Sequence, residues 1–175
     1  MSKILLSSLL LLGISLSAQA ENWTFFSNKN SNPNYGLALI GGSADLDEHD
    51  SSGDLYGVEL SFVCPLVQAS EHTIRQQLSL TKFDKNSIDM YTLEANPHYL
   101  YQIEPNTYIG VGPSLGLSKI EGKSDIIKTF GIGASLRKDI TEKLFLATEF
   151  RKVYASKSYA DNVRIVLKAG YYFQK

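Results

Sequence analysis

The chain has 175 residues, 17 basic and 18 acidic, and is 43% hydrophobic. This is one domain's worth of sequence, and its charge balance argues against a polyanion-binding protein. The single cysteine, Cys64, excludes an internal disulfide.

Residues 1–20 read as a targeting segment. Lys3 supplies a positive start, Ile4 to Leu12 an apolar core too short to span a bilayer, and Ala18-Gln19-Ala20 a small-x-small cleavage site. Cleavage is expected after Ala20. Without Lys3, 16 basic residues face 18 acidic ones, a net charge of −2. No later run of about eighteen apolar residues occurs, which excludes a membrane helix. The remaining chain crosses a membrane as a barrel or is soluble outside the cytoplasm. Residues 21–34 are polar apart from Trp23-Thr24-Phe25-Phe26, and form a loosely ordered lead-in to a domain at 35–175.

From Tyr35 the sequence alternates with period two, the mark of strands. The first strand spans about Tyr35–Leu46, with Leu37 and Leu39 opposite Gly36, Ala38, Gly42 and Ala44. A polar loop, 47–53, leads to the second at about Asp54–Leu66, where Tyr56, Val58, Leu60, Phe62 and Cys64 oppose Gly57, Glu59 and Ser61. The third, about His72–Phe83, sets Leu78 and Leu80 against Arg75, Gln77, Ser79 and Thr81, and ends at the turn 84–87. In the fourth, about Ile88–Gln102, Pro97 removes a ladder donor and predicts a bulge or an early end to pairing. The fifth (Thr107–Ser118) and sixth (Ile126–Lys138) oppose large apolar residues to Gly110, Gly112, Gly116, Gly131 and Gly133. The seventh spans about Leu144–Tyr154.

The last strand, Val163–Phe173, places Val163, Ile165, Leu167, Ala169, Tyr171 and Phe173 on one face and Arg164, Val166, Lys168, Gly170 and Tyr172 on the other. A terminal amphipathic strand ending in an aromatic resembles the closing strand of small bacterial outer-membrane β-barrels, the outer-membrane protein A/X-like, porin-like family. There such a strand is also the assembly signal, here Gly170, Tyr171 and Phe173, although Gln174 and Lys175 follow where the family usually stops. The resemblance implies an all-β fold, an eight-stranded antiparallel up-and-down transmembrane β-barrel. It also implies both termini in the periplasm, barrel assembly machinery and periplasmic chaperones as biogenesis partners, and an outer-membrane location in a Gram-negative bacterium.

Alternation does not say which face meets lipid, because a soluble barrel alternates too. Three features settle the expectation. Strand glycines are costly on a soluble surface but make room inside a narrow barrel. The same face carries Glu59, Arg75, Glu94, Arg137, Glu149, Arg151, Arg164 and Lys168, both signs in similar number, as a self-neutralising interior requires. Tyr35, Tyr56, Tyr91, Tyr99, Tyr101, Tyr108, Tyr154 and Tyr171 sit near strand ends, as interfacial girdles do.

A last hairpin centred between Ser158 and Tyr159 puts Glu149 opposite Lys168, with Glu94 at similar depth. This reads as a salt-bridge plug rather than an ion path, since unpaired charges there are expensive. Of His49, His72 and His98, none lies in a His-x-Ser arrangement on an expected strand, as a lipid A deacylase requires; His49-Asp50-Ser51 has the spacing but falls in the polar loop 47–53. His98 faces inward near the periplasmic end, as a hydrogen-bonded interior histidine. The acidic group Asp45, Asp47, Glu48, His49 and Asp50 reads as a solvated loop, and no cofactor or metal is implied. Lys119, Lys123, Lys128 and Lys157 are placed for lipopolysaccharide phosphates. The function read from the sequence is a monomeric, non-enzymatic envelope protein with a structural or surface-interaction role and no nucleic-acid partner. A narrow channel and a lipid A-modifying enzyme are the alternatives.

Overall fold

The computed structural model describes residues 33–47, 51–68, 72–85 and 88–173. The targeting segment, most of the lead-in, the loop residues Glu48, His49 and Asp50, and the terminal Gln174 and Lys175 lie outside them. Eight antiparallel strands form one closed barrel in sequence order. They are β1 (Gly36–Leu46), β2 (Ser51–Gln68), β3 (His72–Lys85), β4 (Ile88–Glu104), β5 (Thr107–Ile120), β6 (Ile126–Asp139), β7 (Leu144–Ala155) and β8 (Asn162–Tyr172). A 3-10 turn, Ser158–Ala160, interrupts the last loop. The starts agree with the sequence reading to within a residue, except at β2. There the polar stretch 51–53, expected as loop, is already paired to β1.

Closure follows from the solvent. Hydrocarbon offers no partner to backbone N–H and C=O groups, so a spanning sheet must leave no edge. β1 meets β8 from Gly36↔Tyr172 to Leu46↔Asn162, and the Phe173 amide donates to the Tyr35 carbonyl at 2.9 Å. The start of β1 and the end of β8 therefore lie at one rim, with the β2–β3, β4–β5 and β6–β7 turns. The four other connections lie at the opposite, loop end.

The outer wall is greasy. Leu39, Leu80, Val111, Leu115, Ile132, Leu146, Phe150, Ile165 and Leu167 are all exposed. Exposed leucine in isolation means little, but a continuous apolar belt around a barrel whose charged residues are buried is the arrangement of a membrane barrel. On β5 the row Ile109, Val111, Leu115 and Leu117 points outward while Gly110 and Gly112 face the lumen. Tyr35, Tyr56, Tyr91, Tyr99, Tyr101, Tyr154 and Tyr171 face outward. Tyr108 does not. It shares the inward face of Gly110, opposite Arg137.

Pro97 produces no bulge. It keeps its place opposite Gln76 in β3. Toward β5 the ladder omits the rungs between Ala95↔Leu115 and Tyr99↔Val111 and resumes in the same register. The missing centre is where Pro97 would face Pro113, two residues without an N–H. The register shifts lie instead between Val63 and Gln68 and between Gln102 and Glu104.

Candidate functional site

An eight-stranded barrel is just wide enough for its own side chains, so the lumen is the first place to look for a site. It contains three layers. At the loop end is an apolar cork of Leu46, Leu55, Phe83, Met90, Ile120, Ile127 and Val166, capped by Ala160 and Tyr159 from the last loop. The charged set read from the sequence therefore fills only part of the lumen. Each cork side chain withdrawn from water contributes about 1.5–3 kcal/mol, so the cork is a small core of the soluble kind.

Below it lies the charge network. Lys168 Nζ sits 2.5 Å from Glu59 Oε2 and 2.7 Å from Glu149 Oε2. Arg151 donates to Glu149 Oε1 from Nε and Nη2, at 2.8 and 2.7 Å, and from Nη1 to Asn96 Oδ1 at 3.0 Å. Glu94 bridges two guanidinium groups, 3.6 Å from Arg151 and 3.4 Å from Arg164. The expected hairpin register is wrong by two residues: Lys168 lies opposite Ala147, and Glu149 opposite Val166. The ion pair nevertheless forms diagonally, because a lysine stem reaches the next inward position. Glu94 joins the arginines rather than Lys168.

Two glycines make this possible. Gly112 and Gly133 face each other across β5 and β6. A Cβ on Gly133 would stand 3.1 Å from Arg151 Cζ, and one on Gly112 would stand 2.8 Å from His98 Cδ2. The hole left by the missing side chains holds the guanidinium and the imidazole.

The third layer closes the end where β1 starts and β8 stops. Arg137 stacks on Phe145, its Cζ 3.9 Å from the ring centroid, and on Tyr172 at 4.9 Å. Arg75 covers Tyr172 at 5.0 Å. Asp139 Oδ1 accepts from Arg137 Nε at 3.3 Å and from the Tyr172 hydroxyl at 3.1 Å. The eight interior charges are therefore not one group, since Arg75 and Arg137 stand apart from the other six. Nor are they balanced among themselves. Five cations (Arg75, Arg137, Arg151, Arg164, Lys168) face three carboxylates (Glu59, Glu94, Glu149), and Asp139, missed in the sequence, supplies a fourth.

His98 is fully buried, opposite Arg75 in β3 and in contact with Arg151 of the middle layer. Its Nδ1 is 3.2 Å from Ser135 Oγ, a neighbour no local spacing announces. A serine–histidine pair invites a hydrolase reading, but the hydrogen bonds argue otherwise. Arg151 Nη2 lies 3.0 Å from His98 Nε2, and a guanidinium only donates. The Nε2 lone pair is thus engaged, Nδ1 carries the proton, and the imidazole donates to the serine instead of accepting from it. A general base needs the opposite arrangement. Among the described residues, no group of three or more metal-ligating side chains converges.

No protein-family model matches the sequence, and no curated protein matches it. Solved structures do match in fold. Neisserial surface protein A (NspA) aligns with a TM-score of 0.58 at 15% identity, over 79% of this chain and 94% of that one. Ail, the attachment invasion locus protein of Yersinia pestis, gives 0.54 at 13% identity over 79% and 95%. The outer membrane enzyme PagL gives 0.54 at 15% identity over 77% and 97%. Identities this low carry the fold and nothing about chemistry. This chain is a closed eight-stranded transmembrane β-barrel with the fold of the small outer-membrane barrels.

Proposed function

We propose that the chain is an outer-membrane protein of a Gram-negative envelope, exported by residues 1–20, that works through its outer wall and loop end and not through its lumen. Its role is structural or surface-interacting, without catalysis. The observation that carries this reading is the filled lumen: an apolar cork, an ion-paired network and an arginine–aromatic stack lie one above another. A solute would have to displace all three, and opening the network alone strands buried charge. Exposed Lys119 and Lys128 on the loop-end wall would meet lipopolysaccharide phosphates, with outer-membrane lipid against the rest of the belt. The chain acts as a monomer, and its terminal Gly170, Tyr171 and Phe173 serve as the assembly signal.

The experiment is planar-bilayer conductance of the refolded chain. A silent bilayer, together with a heat-dependent gel shift proving the barrel closed, is the expected result. Reproducible steps abolished by changing Glu149 or Lys168 would replace this reading with the channel. The enzyme alternative is tested by mass spectrometry of lipid A with and without the protein, where an altered acyl count would overturn the non-catalytic role.

A further inference from the structure

Above the cork, the loop-end mouth holds a cavity of about 150 Å³. Leu46, Ile88, Met90 and Ile120 line it, and Glu121, Lys123 and Tyr159 complete its rim. Bordered by four apolar and three polar residues, a cavity of about 150 Å³ takes one benzene-sized group, too little for a whole lipid tail or nucleotide. A methionine sulfur and a tyrosine ring among the lining groups favour an aromatic occupant over an alkyl one.

The rim adds one charge of each sign. Neither Glu121 nor Lys123 forms an ion pair with another described residue. The backbone that carries them is held in place. The Glu121 amide donates to the Asp89 carbonyl at 2.8 Å and the Lys123 amide to the Ile120 carbonyl at 3.1 Å. Between them Gly122 takes the left-handed conformation, φ +79°, that the tight turn needs. The Lys123 ammonium rests 4.4 Å from the centre of the Tyr159 ring. A backbone set before a ligand arrives leaves only the two exposed side chains to be ordered when it binds.

We propose that this mouth is a binding site for a free aromatic α-amino acid. The ring enters the cavity, the carboxylate meets the Lys123 ammonium, and the ammonium meets the Glu121 carboxylate. The site goes beyond the envelope role above and depends only on the mouth, whichever side of the membrane it faces.

The full chain, refolded in detergent, is titrated with L-phenylalanine, 3-phenylpropionate and 2-phenylethylamine by saturation-transfer NMR. Saturable binding of L-phenylalanine in the millimolar range is expected, with each singly charged analogue about fivefold weaker or more. Lys123→Gln should bring L-phenylalanine down to the level of phenylethylamine, and Glu121→Gln down to that of phenylpropionate. Ile120→Trp, which fills the cavity, should abolish binding while keeping the heat-dependent gel shift. Should that variant fail to fold, Ile88→Phe on the more exposed wall does the same work. No saturable binding below about 20 mM, equal binding of the three probes, or binding that survives a folded cavity-filling variant would each overturn the proposal.

Discussion

Replacing Lys168 by methionine keeps the shape of the stem and deletes the charge at the centre of the lumen. Its ammonium is 2.5 Å from Glu59 and 2.7 Å from Glu149, and the side chain is only 5% exposed. The two carboxylates do not suffer alike. Glu149 keeps Arg151 at 2.7 Å, whereas Glu59 has no other ion pair among the described residues. One buried carboxylate is thus left without a partner, a loss of about 3–5 kcal/mol for a pair broken on one side. Adding Glu59→Gln removes the stranded charge. The double variant should return to within about 2 kcal/mol of the parent, so the two changes should be strongly non-additive. Urea unfolding in lipid vesicles, followed by circular dichroism and by the fraction of folded band, measures each variant. A loss below about 1 kcal/mol for Lys168→Met, or no recovery in the double variant, would refute the claim that this lysine holds the network together.

Leu167 is 68% exposed. On a water-facing surface Leu167→Arg would change stability by less than about 0.5 kcal/mol, but on a lipid-facing wall near the midplane it should cost about 2–4 kcal/mol, read from the same unfolding curves in vesicles. Phe83→Ala in the cork should cost about 3–5 kcal/mol yet leave planar bilayers silent, because the charge network still fills the lumen below. Gly133→Val adds branched carbon beside the Arg151 guanidinium, 3.1 Å from the position of its Cβ, and should cost about 1–3 kcal/mol by overpacking while the heat-dependent gel shift remains. Ser135→Ala should leave lipid A acylation unchanged and cost about 1 kcal/mol for one lost hydrogen bond.

The strands were legible because water and lipid sort a barrel wall by the simplest rule available, one residue in and the next out. That rule located every strand. It failed where both neighbours of a surface are apolar. Leu39-Ile40, Ile126-Ile127 and Ile165-Val166-Leu167 are runs in which consecutive residues serve lipid and cork. They look like noise in an alternating pattern, although a run without alternation is itself the signal of a strand buried on both faces. The β7–β8 register was missed because the last loop contains a 3-10 turn, and a hairpin centre guessed from length has no way to know it. The meeting of His98 with Ser135, 37 positions away, depends on how strands β4 and β6 face each other across β5. No local spacing encodes that.

The facing prolines have a consequence for how this hoop of strands yields. The join between the chain's two ends, which looks like the natural point of failure, is laced along its whole length. The wall between β4 and β5 is not, since it is interrupted near its middle. Deuterium should therefore enter first at the amides flanking Pro97, and a barrel pulled apart by force should tear there, at a split between two strands that are neighbours in sequence, before it comes open at the ring's clasp.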